Sequence, residues 1–241
     1  MSDAIKFPKT PRLVHVMAED LEHWRRYAAV VEEKVDGANV GIWFDGGGSL
    51  KLQSRGHVLQ GGAGERQFAP FHGWAAERHD ALEGALSIRY VLYGEWCFAK
   101  NKSYYDALPD WFIGYDVLDR ESDTFLATRA RDPILAACRV AIVPRLWSGT
   151  FGKAPAFGSF LGPSRLKTAH WREALLREAA RAGVKDPMAE TDDSDWMEGA
   201  YVRIEDDSSI IGRMKLHRDG YEKVSSENWR RLPLIRNTRR A

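Results

Sequence analysis

One lysine of the chain lies in a setting that suits covalent chemistry on a nucleotide. Lys34 is followed by Asp36 and Gly37 in the run Lys34-Val35-Asp36-Gly37. A lysine amine attacks an α-phosphate only when it is neutral, whereas a free lysine has a pKa of about 10.4. Neighbouring cations, a metal ion and partial burial are the means of lowering that pKa, and the glycine would let the backbone turn close to a triphosphate. The run predicts a lysine nucleophile, although so short a motif is weakly specific alone.

Five further segments follow Lys34 in order along the chain. They are Ser54-Arg55-Gly56, Tyr93-Gly94-Glu95-Trp96, Trp111-Phe112-Ile113-Gly114-Tyr115-Asp116-Val117, Met197-Glu198-Gly199-Ala200-Tyr201-Val202 and Gly212-Arg213-Met214-Lys215-Leu216. In this order and spacing the six segments resemble the covalent nucleotidyltransferase superfamily of RNA ligases, DNA ligases and mRNA capping enzymes. Within it, they are most similar to the RNA ligase 2 type and its small bacterial ATP-dependent members. The resemblance runs from about Phe7 to Asn237.

The resemblance implies an α+β fold, a nucleotidyltransferase domain of the ATP-grasp-like ligase kind, in which helices flank antiparallel sheets. We expect residues 1–241 to form a single adenylyltransferase (RNA ligase) catalytic domain with a short basic tail. In DNA ligases and capping enzymes an OB-fold, a five-stranded barrel, follows the catalytic domain. Only 26 residues follow Lys215, which is too few for that barrel, so we expect no OB-fold.

The resemblance also implies the members of a nucleotide site. The expected catalytic residues are Lys34, Arg55, Glu198 and Lys215. The expected nucleotide-binding residues are Glu33, Asp36, Gly37, Asn39, Arg55, Glu95, Phe112, Arg213 and Lys215. Glu198 and Glu95 are expected to hold the metal, and ATP with Mg²⁺ (or Mn²⁺) are the expected cofactors.

The chemistry of three of these residues competes with simpler roles. The guanidinium of Arg55 is a fork-shaped donor for ribose or phosphate oxygens, but it also fits a solvated arginine in a turn. Glu95 ends an apolar strand, where an unpaired carboxylate is costly, so we expect it to accept ribose hydroxyls or hold the metal. Phe112 has the flat ring that stacking on adenine requires, but it also fits the core of an apolar strand. Strand alternation predicts Phe112, Gly114 and Asp116 on one face, with room beside Gly114 for a base.

Positive charge in the last part of the chain has several interpretations. Lys215 is expected to contact the α-phosphate and offset charge in the transition state. Arg213 occupies the position where the RNA ligase 2 pattern often has a first lysine, although its planar fork differs from a point donor. The basic tail is interpreted either as a clamp on a phosphate backbone or as solvated charge. Its arginines are Arg230, Arg231, Arg236, Arg239 and Arg240.

Bulk properties narrow the class of protein. With 241 residues and a net charge of only +1, the chain has ordinary globular composition, and any affinity for nucleic acid must come from a local basic surface. Cys97 and Cys138 lack metal-ligand spacing and are interpreted as reduced core thiols. We see no apolar leader and no run that approaches a membrane span. The expected location is the cytoplasm, without membrane attachment.

Hydrophobic patterning predicts the elements that position these residues. The predicted strands cover residues 28–31, 40–44, 50–54, 87–93, 111–118, 200–205 and 210–216. The predicted helices cover residues 65–83, 129–139 and 171–182, with Asp132-Pro133 as a helix start and Gly183 as a stop. Antiparallel strand pairs interrupted by helices give an α+β domain.

The resemblance implies a three-step reaction on RNA. Lys34 would take AMP from ATP, pass it to a 5′-phosphate RNA end, and a 3′-hydroxyl would then displace it. The partners would be RNA ends, with an end-healing kinase or phosphatase alongside, and the setting would be RNA repair. The rivals are a nucleotidyltransferase that seals DNA nicks or transfers GMP, and a catalytically silent nucleic-acid-binding relative. The retained Lys34, Glu95, Glu198 and Lys215 disfavour the silent relative.

Overall fold

The computed structural model describes residues 4–221 and 233–240, in which eleven strands form two mainly antiparallel sheets. In chain order the strands are β1 (Ala28–Lys34), β2 (Ala38–Phe44), β3 (Leu50–Ser54), β4 (His57–Val58), β5 (Tyr90–Trp96), β6 (Phe112–Asp119), β7 (Thr124–Phe125), β8 (Ala141–Ile142), β9 (Arg145–Thr150), β10 (Gly199–Glu205) and β11 (Ile210–His217). The α-helices are α1 (Ala18–Trp24), α2 (Ala69–Ala76), α3 (His79–Leu86), α4 (Thr128–Ala137) and α5 (Trp171–Arg181). The predicted α+β class is confirmed.

The two sheets divide the predicted motifs between them. Sheet A has the order β11-β10-β1-β9, and sheet B has the order β4-β3-β2-β5-β6-β7, with β8 added in parallel to β6. Sheet A therefore carries Lys34 and Lys215, whereas sheet B carries Asn39 and Glu95. Neither sheet closes into a barrel within the described residues. In the same residues, no helix combines the length and the apolar character that a membrane crossing requires.

One face of sheet B packs against helices and forms the largest core. Val40, Ile42 and Phe44 of β2 alternate with residues of the opposite face and belong to one core cluster with Phe71 of α2 and Leu82 of α3. These apolar side chains are almost wholly removed from water, which stabilises the fold by roughly 1.5–3 kcal/mol for each large one. The opposite face of sheet B is left to turn toward sheet A.

A bulge in β6 changes which of its residues share a face. Gly94 of β5 lies opposite Gly114, but the next residue back, Tyr93, lies opposite Asp116, so Tyr115 is the extra residue. The predicted common face of Phe112, Gly114 and Asp116 is therefore wrong. Phe112 and Gly114 face the helical core, where Gly114 packs against Leu135 and Val140. Asp116 instead faces sheet A.

Buried charges connect the two sheets at that face. Arg203 of β10 donates to Asp116 of β6 and, at 2.8 Å, to Glu205. Arg131 of α4 donates to both carboxylate oxygens of Glu32 on β1, at 3.1 and 2.7 Å. All five side chains are almost unexposed. Buried charges cost several kcal/mol each unless they are paired, so this network fixes how sheet A, sheet B and α4 meet.

Three predicted features of the helices and of the strand after α3 differ from the structure, and one predicted helix end agrees with it. The predicted helix 65–83 is a 3₁₀ turn followed by two helices, because Arg78 leaves helical geometry and binds Asp110 at 3.0 Å. The predicted strand 87–93 begins only at Tyr90, since Ser87 ends α3 with a φ of +46°. The predicted start at Asp132-Pro133 is wrong, because Pro133 lies inside α4. The stop at Gly183 is confirmed by its φ of +73°.

Candidate active site

Lys34 is the last residue of β1, a central strand of sheet A, and this end of the strand lies near Glu95 of sheet B. Its Nζ lies 3.0 Å from Oε1 of Glu198, a side chain with no exposed surface. Glu198 directly precedes β10, and Gly199, the first residue of β10, lies opposite both Lys34 and His217. His217 places its Nε2 3.3 Å from the same Glu198 oxygen. Lys34, Glu198 and His217 therefore form one contact group.

The charge state of Lys34 follows from this surrounding. Burial is the largest influence and acts to lower its pKa, but the neighbouring carboxylates of Glu198, Glu95 and Asp36 outweigh burial and raise the pKa above the ordinary 10.5. The chain alone therefore holds Lys34 as an ammonium. The lowered pKa that its chemistry requires is not supplied by these protein groups in this arrangement.

Two other lysines, which are half-buried, do have lowered pKa values. Burial lowers the pKa of Lys100 to about 8 and also lowers that of Lys167. A lowered pKa is one mark of a reactive lysine, so the pKa directions favour these two residues over Lys34. The surroundings favour Lys34, because it lies beside the carboxylates of Glu198, Glu95 and Asp36, whereas Lys100 donates to the carbonyl of Glu190 at 2.7 Å and Lys167 to that of Ser194 at 2.6 Å. Lys34 therefore stays the candidate nucleophile.

Sheet B contributes Glu95 and Asn39 across from Lys34. The two residues lie opposite each other on β5 and β2, so their side chains share a face. Asn39 donates to the hydroxyl of Tyr115, the bulge residue of β6. Arg55 follows β3 with a φ of +46°, and its backbone N donates to the carbonyl of Asn39 at 3.3 Å. The exposed Arg55 side chain thus starts beside Asn39 of β2, and within the described part of the chain it makes no ion pair.

The residues just after Lys34 are held by the loop that follows β5. The backbone N of Asp36 donates to the Tyr105 hydroxyl at 2.8 Å, and its carboxylate accepts from the backbone N of Ser103 at 2.8 Å. A Cβ on Gly37 would lie 2.9 Å from Sγ of Cys97 and 3.0 Å from Cβ of Glu95. The glycine therefore serves close packing against β5, which differs from the predicted turn toward a triphosphate.

Lys215 and Arg213 have different surroundings, although they lie two residues apart on β11. Lys215 is opposite Tyr201, which is opposite Glu32, so Lys215 shares the face of Lys34 about 7 Å along the strands. Arg213 lies two residues farther along the strand. Its guanidinium covers the Phe125 ring at 4.1 Å and reaches Asp116 at 3.9 Å. The guanidinium of Arg213 is thus directed toward Phe125 and Asp116, and its contact with the nucleotide stays a prediction.

Phe112 and Glu33 also lie away from the predicted site. Phe112 is fully buried, with its ring centroid 4.9 Å from that of Trp74, on the face of sheet B opposite Glu95. The prediction that Phe112 stacks on adenine is therefore wrong. Glu33 alternates with Lys34, and its carboxylate accepts from the Ser164 hydroxyl and, at 3.0 Å, from the backbone N of Arg165. The Glu33 side chain holds a loop instead of contacting the nucleotide.

Sequence reasoning missed His217 and Tyr115. The signal for His217 was its position two residues after Lys215, since side chains at this spacing share a strand face. The direction of Tyr115 depends on the bulge, for which Gly114 directly before it was a weak signal. Two cavities of about 370 and 350 Å³ open elsewhere, one beside Trp111 and Arg239 and one beside Leu50 and His72. Neither cavity includes Lys34, so the candidate active site is defined by the contacts of Lys34, Glu198 and His217.

Comparison with known proteins identifies the family. A model of the RNA ligase family matches residues 28–217, which is more than half of the chain. The chain belongs to the RNA ligase family. The match begins at the first residue of β1 and ends at His217, so it spans every residue of the contact group around Lys34. No curated protein sequence matches the chain significantly.

Solved structures support the fold at low sequence identity. One is Naegleria gruberi RNA ligase, as a variant with AMP and Mn, with a TM-score of 0.60 and 15% identity over 90% of this chain and 57% of that one. The same enzyme with PPi gives 0.55 and 18% over 90% and 57%. A variant with ATP and Mn gives 0.57 and 14% over 91% and 58%. This chain thus spans little more than half the length of these relatives, and the likeness establishes the fold alone.

Proposed function

We propose that the protein is an ATP-dependent RNA ligase that joins a 3′-hydroxyl RNA end to a 5′-phosphate RNA end through a lysyl-AMP on Lys34. The observation that carries this proposal is the contact of Lys34 with the wholly buried Glu198, at the ends of the central strands of sheet A in a chain of the RNA ligase family. The ATP, AMP and PPi in the structures of the Naegleria enzyme support the choice of ATP.

The reaction would make and break bonds at phosphorus in three steps. Nζ of Lys34, after losing a proton, attacks the α-phosphate, and the bond to pyrophosphate breaks. An oxygen of the 5′-phosphate of RNA then takes the AMP, which breaks the N–P bond and returns a proton to Lys34. Finally a 3′-hydroxyl attacks that 5′-phosphate and releases AMP. Positioning and charge neutralisation supply most of the catalysis in such transfers, and Lys215 and Arg55 would hold phosphate oxygens.

The donor set around Lys34 fits a divalent cation. Glu198, Glu95 and Asp36 place more negative than positive charge beside the amine. Among the described residues, no group of three or more His, Cys, Asp or Glu side chains is placed to hold a metal alone. Mg²⁺ is usually bound by one or two carboxylates together with substrate phosphates, and Glu198 and Glu95 would supply the carboxylates. When bound, such an ion neutralises charge on the phosphates and polarises the α-phosphate.

The proposed setting is RNA repair in the cytoplasm. Cys97 and Cys138 are buried and unbonded, as suits a reducing compartment. Because a ligase of this kind needs a 5′-phosphate and a 3′-hydroxyl, ends of other chemistry would require an end-healing kinase or phosphatase as a partner.

The test is label transfer followed by sealing. The protein is incubated with α-labelled ATP, GTP or NAD and a divalent cation, and the adduct is resolved on a denaturing gel and mapped by peptide mass. We expect one AMP on Lys34 and no adduct on Lys34→Ala. Lys100→Met and Lys167→Met, which remove the half-buried lysines with lowered pKa values, should react as the wild type does.

Matched nicks then separate RNA sealing from its rivals. The adenylylated protein is given all-RNA, RNA-ended and all-DNA nicks, and we expect the RNA ends to be sealed faster because a 2′-hydroxyl and A-form shape distinguish them. Wild-type labelling of Lys34→Ala would refute the assignment of the nucleophile. Preferential GMP transfer, or equal sealing of the DNA nick, would favour the rival nucleotidyltransferases. Absence of any adduct would favour the silent relative.

A further inference from the structure

The last described segment, residues 233–240, is fastened to the loop that follows β5. The Asn237 side chain accepts from the backbone N of Tyr105 at 2.8 Å and donates to the carbonyl of Cys97 at 2.8 Å. Farther along, the backbone N of Arg240 donates to the carbonyl of Leu108 at 2.9 Å. These bonds hold the segment in an extended form, so the arginines on it have fixed starting points. Arg230 and Arg231, also assigned to the basic tail, lie outside the described residues.

The fastened segment forms one wall of a cavity of about 370 Å³, which we call the C-terminal basic pocket. The other walls come from α5 and from the residues just before β6. Its charged and aromatic lining residues are Trp111, Glu178, Arg181, Arg236, Arg239 and Arg240. Four arginines against one glutamate make this a locally positive surface on a chain whose net charge is only +1.

The acidic groups beside the pocket leave part of this charge available. The buried Glu178 pairs with Arg181 and, at 3.4 Å, with Arg236. Arg239 lies 3.7 Å from Asp110 and covers the Trp111 ring at 4.3 Å, yet its side chain stays 48% exposed. Within the described residues Arg240 has no acidic partner, and its Nε donates to the carbonyl of Ala107 at 3.2 Å. The guanidiniums of Arg239 and Arg240 are thus oriented and still accessible.

We propose that the C-terminal basic pocket binds the phosphate backbone of the RNA strand whose end is held at Lys34. The proposal rests on the proposed function for the identity of the strand. Guanidinium forks match phosphate oxygens in two-point contacts. Since overall charge is nearly neutral, affinity for a polyanion must come from a local basic surface of this kind.

The position of the pocket relative to the active site supports the RNA strand as its ligand. Asn237 binds the carbonyl of Cys97, and Cys97 lies only two residues after Glu95. At about 3.3 Å per residue, the backbone of Arg239 is within roughly 20 Å of Glu95. A strand that enters the site between the sheets would reach this distance within a few nucleotides, so pocket and active site can contact the same molecule.

The experiment measures RNA binding and leaves the chemistry aside. The probe is a fluorescent 5′-phosphorylated single-stranded 20-mer RNA, and binding is followed by anisotropy from 0.1 to 1 M salt. The test protein is Arg239→Gln/Arg240→Gln, which keeps hydrogen-bonding side chains and removes two charges. The control is Arg25→Gln/Arg26→Gln, which removes two exposed charges at the end of α1. Lysyl-AMP formation and urea unfolding are measured for each protein.

Loss of two phosphate contacts has a defined signature. For single strands each contact contributes about 0.7 to the slope of log affinity against log salt, so two contacts contribute about 1.4. We expect the slope of the Arg239→Gln/Arg240→Gln protein to be shallower by about that amount, with affinity about 25-fold lower at 0.1 M salt and equal near 1 M. Lysyl-AMP formation should stay within twofold of wild type.

Two results would overturn the proposal. One is an unchanged affinity and salt slope, which would leave the pocket to another ligand such as an acidic protein. The other is an equal loss in the Arg25→Gln/Arg26→Gln control, which would make the effect one of general charge. Failure of the proposed function is distinguishable, because it would appear as absence of lysyl-AMP in the wild type, while RNA binding would still decide the role of the pocket.

Discussion

Gly199 offers a direct test of how closely β10 and β11 must approach to build the site. A Cβ at this position would lie 2.0 Å from the backbone oxygen of Leu216 and 3.0 Å from Cα of His217. Ordinary contact begins near 3.5 Å, so Gly199→Ala must separate the two strands by roughly 1 to 1.5 Å. The change falls between Glu198 and His217, and a misplacement of about 1 Å can cost about 10²-fold in rate.

The assay compares three glycine-to-alanine variants by the rate of lysyl-AMP formation and by urea unfolding. Gly199→Ala should react about 10²-fold more slowly and lose about 1–3 kcal/mol of unfolding free energy, the usual cost of overpacking. Gly212→Ala meets the Trp24 ring at 2.4 Å, but it lies about 16 Å along β11 from His217. It should lose similar stability and keep its rate. Gly84→Ala in α3 meets nothing within 4 Å and should be stabilised by about 0.5–1 kcal/mol.

Two outcomes would refute this reasoning. If Gly199→Ala reacts within threefold of the wild type, the spacing of the strands at Glu198 does not limit the chemistry. If Gly212→Ala loses as much rate as Gly199→Ala, the effect is one of stability and not of site geometry.

Two further predictions concern buried charges. Burial raises the pKa of Glu33 above its ordinary 4.5, although the hydrogen bonds from Ser164 and Arg165 act to lower it. Between the unfolded and the folded pKa, the folded chain therefore keeps a proton that the unfolded chain loses. Stability should fall as the pH rises from 4.5 through the folded pKa. Glu33→Gln has no such proton, so its free energy of unfolding in urea should rise relative to that of the wild type from pH 4.5 to 7, and lysyl-AMP formation should be retained. A stability difference between the two proteins that stays constant with pH would contradict this prediction. Arg131→Met should lose about 3–5 kcal/mol because it leaves Glu32 buried without its main partner, and Arg131→Met/Glu32→Leu should recover part of it. Additive losses in that cycle would show that the pair is not coupled.

The strands were predictable because their patterning is local. In β2 and β10, a short run of apolar residues is flanked by glycine or acidic residues, and this pattern indicates a strand within a few positions. The stop of α5 was likewise predictable from Gly183, since glycine readily adopts the positive φ that ends a helix. Such features depend on neighbours in sequence, which is the information a single chain displays.

Faces of strands were less predictable because a single inserted residue reverses them. The bulge at Tyr115 turns Asp116 toward sheet A and leaves Phe112 in the core, and its only mark in the sequence is Gly114, because a glycine inside a strand often accompanies a bulge. The surroundings of Arg213 could not be predicted for a related reason. Its spacing from Lys215 was correct for a shared face, but Asp116 and Phe125 come from distant parts of the chain. Long-range partners of this kind are set by tertiary packing.

The charge balance around Lys34 joins the structure to the proposed reaction. The carboxylates orient the amine through the 3.0 Å contact with Glu198, but they also hold it protonated. Burial is the largest influence on its pKa and acts in the opposite direction. Positive charge bound at Glu198 would weaken the part of this hold that Glu198 supplies, and burial would then act in the direction of a lower pKa for Lys34. The carboxylates would thus keep Lys34 protonated before the substrate binds. Positive charge that arrives at Glu198 with the substrate would reduce this effect, so Lys34 would become reactive only when the substrate is bound.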